Sequence, residues 1–131
     1  MIFLKKAGRD FTVFSIGAVG YGLIEILWRG YTHWSMLTAG GISFLGLGRI
    51  SNHMKKASLF KKSIVGCGFI TTVEYIYGVI FNIILKKNVW DYSKMPLNIS
   101  GQICALYSFF WMILSMLFIP FADRLQKRLE R

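Results

Sequence analysis

The sequence predicts an all-α, polytopic membrane protein: a single transmembrane domain of four helices, folded as two helical hairpins. Three observations carry this prediction. Apolar runs recur at the length a helix needs to cross hydrocarbon, roughly 20 residues. Short segments between the runs hold most of the charge. The basic residues divide unevenly, 12 on one side of the implied barrier and 4 on the other.

The bulk figures agree. The chain has 131 residues, is 54% hydrophobic and carries 16 Lys and Arg against 6 Asp and Glu, with a mean hydropathy of +0.48. A net charge of +10 raises the question of nucleic acid, which requires basic residues on one continuous soluble face. Here they cluster between apolar runs, so they read as topology signals and lipid-headgroup contacts. The expected partner is the lipid bilayer, with no nucleic acid.

Helix 1 spans about residues 11–28, broken only by Glu25, and follows the basic cluster Lys5, Lys6 and Arg9. This start is not read as a signal peptide, because no small-x-small site leads into a soluble domain. The turn RGYTHWS leads to helix 2, about residues 36–50, too soon for anything but an antiparallel neighbour. Arg49, Lys55, Lys56, Lys61 and Lys62 follow. Helix 3, about residues 63–85, is broken only by Glu74, and helix 4, about residues 101–122, carries no charge at all; Arg124, Lys127, Arg128 and Arg131 follow it. Arg29, Lys86, Lys87 and Lys94 are the four on the other side. The positive-inside rule then places both termini in the cytoplasm of a multi-pass cell-membrane protein, with the loop NVWDYSKMPLNISGQ (Asn88 to Gln102) outside.

Trp28, Trp34 and Trp90, with Tyr31 and Tyr92, fall at the predicted outer boundary as an aromatic belt would. Small residues recur in steps of three, four or seven: Ala18 and Gly22, then Ser35, Ala39, Ser43 and Gly46, then Thr71 and Gly78, then Gly101, Cys104 and Ser108. Such stripes let helix backbones approach closely. They suggest a homo-oligomer or a partner membrane subunit, since four short helices enclose little space alone. Cys67 and Cys104 lie within predicted spans and read as small apolar thiols.

Glu74 is the residue least expected by accident. A charged carboxylate mid-membrane costs at least about 2.5 kcal/mol, so it is either neutralised by a proton, held by a partner, or wet. Thr71, Gly78 and Asn82 share its helix face. Glu25 has Arg29 at i+4, a spacing that permits pairing along one helix, and His33 lies close enough in sequence to bridge to either. One histidine among carboxylates is not a metal site. No nucleophile with a base, phosphate loop or paired Cys and His spacing appears, so no cofactor is identified and catalysis is not expected. The tripeptide Asn98-Ile99-Ser100 matches a glycosylation acceptor, but so near a helix start Asn98 or Ser100 reads better as a cap for helix 4.

The stretch EYIYGVIFNIILKKNVWDYSKMPLNISGQICALYSFFW, with EILWRGYTHWSMLTAGGISF before it, resembles the CmpB-like ABC-transporter permease family of small membrane proteins. The similarity covers roughly residues 20–111. Its pattern falls on Glu74, Tyr75, Gly78, Trp90, Asp91, Tyr92, Ser93, Pro96, Asn98 and Gly101, and earlier on Glu25, Arg29, Gly30, Gly40 and Gly41. The resemblance implies an outer W-D-Y-S loop above membrane glutamates. The expected function is therefore permease-like: binding or translocating a small solute or ion at Glu25, Arg29, Glu74, Asn82, Asp91, Tyr92, Ser93 and Asn98, with the polar loop as a lid. The alternative is a non-catalytic structural or regulatory subunit of a larger membrane complex, and an intramembrane enzyme ranks third.

Overall fold

A computed structural model describes residues 2–129; Arg131, counted among the basic residues above, lies outside the described residues. The architecture is all-α. Helix α1 covers Ile2–Arg29, α2 Trp34–His53, α3 Leu59–Gly78 and α4 Ala105–Leu129. A π-helical turn, Val79–Ile84, extends α3, and a minimal hairpin of β1, Asn98–Ile99, and β2, Ile103–Cys104, precedes α4.

Three of these helices are long and apolar enough to cross a membrane: residues 5–29, 59–84 and 105–129. The exception is α2, and its packing explains why. It touches α1, α3 and α4, and it buries Met36, Ala39, Gly40, Gly41, Phe44, Leu47 and two serines, Ser35 and Ser51. A helix surrounded by protein has no lipid to satisfy, so its sequence runs to glycine and hydroxyl groups that permit close contact. Gly40 and Gly41 sit so near α1 that an added Cβ would fall 2.4 Å from the Tyr21 Cβ and 2.7 Å from the Phe14 ring. Gly17 and Gly22 return the favour from α1, against Phe44 and Leu37. The expected small-residue stripe named Gly22 and Ala39 but left out Gly17, Gly40 and Gly41, which set this crossing with Gly22.

The helix ends differ from expectation. At the N-terminus α1 starts nine residues earlier than residue 11, because nothing between Lys5 and Asp10 breaks a helix; charge alone does not end one. Asp10 pairs with Arg49 of α2 there. For the same reason α4 runs past Ala122 to Leu129. Its start is later than residue 101: Gly101 has φ +71° and Ser100 φ +57°, left-handed values that turn the chain from β1 to β2. Consequently Asn98 caps no helix. Its Oδ1 accepts from Gly101 N at 3.0 Å and its Nδ2 donates to the carbonyls of Ser93 and Met95. Nor does His33 bridge Glu25 and Arg29; its Nδ1 accepts from Ser35 N at 3.2 Å as the N-cap of α2.

α1 packs most extensively on α2, and α3 on α4, whereas α1 meets α4 only sparsely. The core gathers Leu47, Ile70, Trp111 and Ile119 around α2, α3 and α4. At the end away from the long loop, Ser51 Oγ donates to Asp123 Oδ2 at 2.7 Å and accepts from Lys62 Nζ at 2.9 Å, which ties these three helices together. At the other end Met36, Val89 and Trp90 form a small core under the loop.

Candidate functional site beneath the polar loop

Asn82 positions the loop. The π-helical turn that carries it closes with Leu85 N donating to Ile80 O at 2.9 Å, and such widened turns recur at functional positions. Its Oδ1 accepts from Val89 N at 2.7 Å and Trp90 N at 3.3 Å, while Nδ2 donates to Gln102 Oε1 at 2.8 Å. Gln102, buried against Gly78, donates in turn to Ser100 O. Trp90 Nε1 donates to the Gln102 carbonyl at 2.9 Å. These bonds draw both strands of the loop onto the end of α3. Trp90 is therefore 8% exposed and turned inward, unlike Trp28 and Trp34, which are exposed as a belt requires. The belt reading fails for Trp90 because its indole N–H has a protein acceptor.

Tyr92 follows Trp90 inward. Its amide donates to Gly101 O, its ring stacks on Tyr107 at 4.8 Å between centroids, and its hydroxyl donates to Glu74 Oε2 at 3.1 Å. Burial pushes this phenol well above its ordinary pKa, so it stays a donor throughout the physiological range. The other carboxylate oxygen, Oε1, accepts from Trp111 Nε1 at 3.1 Å. Glu74 is 6% exposed, and both of its donors are neutral.

Glu25 is equally buried but differently partnered. Arg29 Nε lies 2.8 Å from its Oε2, the i, i+4 pair expected from the spacing. The same guanidinium donates from Nη1 to Val89 O at 2.9 Å and covers the Tyr31 ring, so it also holds the start of the loop. Asp91, Ser93 and Asn98 do not reach the glutamates. Asp91 is exposed, and its Oδ1 accepts from Ser93 N at 2.8 Å; that backbone N–H holds its carboxyl below the usual pKa range. Their hydrogen bonds shape the loop from within.

Two adjoining cavities lie below. One, of about 270 Å³, is lined by Glu25, Arg29, Trp28, Tyr92 and Tyr107. The other, of about 420 Å³, is lined by Glu74, Tyr77, Phe44, Ile70 and Phe118. Tyr21, Met36, Trp90 and Trp111 line both. The walls are overwhelmingly apolar, and the larger cavity holds Glu74 as its sole ionisable carboxyl. Among the described residues no group of three or more His, Cys, Asp or Glu could hold a metal ion.

Sequence reasoning missed Trp111, Gln102, Tyr21 and Tyr107. Trp111 had one readable signal: it lies well inside a membrane-length helix, away from the interface where tryptophan usually sits. The remaining three had none.

A protein-family model described as "Putative ABC-transporter type IV" matches residues 11–131. No curated protein and no solved structure matches the chain.

Proposed function

The chain belongs to that ABC-transporter type IV family, and from this premise we propose that it is a permease-like membrane protein that binds a small solute in the cavity beside Glu74. One observation carries the reading. A buried carboxylate, held at both oxygens by a loop tyrosine and a helix tryptophan, forms the wall of a cavity large enough for a small molecule. Tyr92 makes the loop a lid, since movement of the loop breaks a bond to the site itself.

The protein works in the cell membrane with both termini in the cytoplasm, a reading supported by the 12 to 4 division of basic residues. It acts as a homo-oligomer. Gly68 supports this, because it faces open space in which a Cβ would touch nothing, and small residues on free faces suit close helix packing. Mass measurement with detergent and lipid subtracted tests the oligomer; a strict monomer in bilayers would refute it.

The binding reading is tested by the fluorescence of Trp90 and Trp111 as small apolar solutes are titrated into protein in lipid nanodiscs. Glu74→Gln should abolish solute-dependent quenching while leaving assembly intact. Absence of quenching by every solute tried would favour a subunit that only holds partners.

A further inference from the structure

We propose that the ligand of the larger cavity is an apolar organic cation that enters sideways from the bilayer and sets its positive group against Glu74. The inference rests on the solute-binding reading and names the chemical class.

Charge is the first reason. Glu74 accepts hydrogen bonds from Trp111 and Tyr92, two neutral donors that orient its carboxyl and bring no positive charge to it. Among the described residues it has no ion-pair partner, and the nearby guanidinium of Arg29 belongs to Glu25 and the Val89 carbonyl. A carboxylate with four lone-pair sites and two donors keeps room for a third contact. A cation set beside a buried carboxyl favours its ionised form and gains a charged partner in return.

The second reason is the wall. A hard inorganic cation needs about six or more oxygen ligands, and the cavity offers one carboxyl among aliphatic and aromatic groups. Tyr21, Tyr77, Trp90 and Trp111 present instead the rings that attract an organic cation through their faces. An apolar body with one positive group satisfies both walls and acid.

The third reason is the entrance. Among the residues lining the cavity only Ile16 of α1 and Phe121 of α4 are exposed, and these two helices touch sparsely, so the opening is inferred to lie between them. Its rim includes Ile16, 38% exposed on α1, and Phe121, 48% exposed on α4. Both helices are of membrane-crossing length and hydropathy, so this rim faces lipid and a ligand concentrated in the bilayer meets it directly. Gly20 stands at the same rim, where a Cβ would meet nothing.

Tetraphenylphosphonium and tetraphenylborate, which match in size and shape and differ in sign, make the test. Equilibrium dialysis against the full chain in nanodiscs, with empty nanodiscs subtracted, should show saturable binding of the phosphonium and none of the borate. Glu74→Gln should weaken phosphonium binding at least tenfold. Gly20→Leu, which narrows the mouth and leaves the acid in place, should weaken it as well, and Asp10→Asn, a carboxylate removed elsewhere, should not. Borate binding as tight as phosphonium, or phosphonium binding indifferent to Glu74→Gln, overturns the cation class and leaves the solute site standing. Failure of both probes, together with failure of a neutral apolar carbodiimide to reach Glu74, overturns the cation class and the solute site together.

Discussion

Tyr92 donates its phenol hydrogen to Glu74 Oε2 at 3.1 Å, joining the polar loop to a carboxylate inside a membrane-length helix. Eighteen residues separate the two in sequence. Tyr92→Phe keeps the stack on Tyr107 and removes only this bond, leaving a buried carboxylate oxygen one donor short. The expected loss is about 1–3 kcal/mol, read by denaturant unfolding in mild detergent. Unchanged stability would mean that the loop does not bear on Glu74.

Asn82→Ala strips acceptors from two loop amides, Val89 and Trp90, and a donor from Gln102. The loop should loosen while α3 stays folded, so limited proteolysis near Lys86, Lys87 and Lys94 should quicken. Equal cleavage rates in both proteins would show that Asn82 does not anchor the loop.

Gly40→Val places side-chain atoms where Tyr21 already stands and should cost about 1–3 kcal/mol or more through overpacking. Gly20→Leu meets open space and should change stability by no more than about 0.5 kcal/mol. Thermal unfolding of both variants reads the contrast, and equal melting shifts would contradict the close α1–α2 crossing.

Asp91 makes the loop sensitive to acid. Its folded pKa is depressed, chiefly by the Ser93 amide, so its contribution is present above the ordinary carboxylate range and is lost as pH falls through the folded value. Exchange of the Ser93 amide, corrected for intrinsic rates, should therefore rise at acid pH. In Asp91→Asn, which keeps an acceptor oxygen but cannot ionise, that rise should vanish.

Lys94, exposed on the loop, reports orientation. Lys94→Cys should be labelled by an impermeant thiol reagent in intact cells, with little background because Cys104 is buried and Cys67 half-buried. Labelling only after the membrane is broken would reverse the proposed topology.

Much of the helical layout was legible in the sequence, because hydrocarbon imposes length and polarity on whatever faces it. The Glu25–Arg29 pair was legible too, since one helix sets its geometry. Legibility failed where contacts join distant residues. Nothing local in the chain announces that Trp111 meets Glu74 across 37 positions, or that Gln102 completes the Asn82 network. The 98–104 hairpin was hidden for another reason: Leu97 and Ser100 adopt left-handed backbone, which side-chain pattern does not advertise. Asp91, Ser93 and Asn98 looked like ligand groups because polarity alone cannot separate a side chain that binds a solute from one that folds its own loop.

The proposed site requires that Glu74 stand in an apolar cavity open to small molecules. Dicyclohexylcarbodiimide, which partitions into lipid and converts a carboxyl to a stable N-acylurea, tests it when peptides are mapped by mass spectrometry. Modification should concentrate on Glu74, disappear in Glu74→Gln and fall in Gly20→Leu, whereas a water-soluble carbodiimide should favour exposed Asp91. If the apolar reagent leaves Glu74 untouched while modifying other carboxyls, the cavity beside Glu74 is closed to small molecules and the proposed site is wrong.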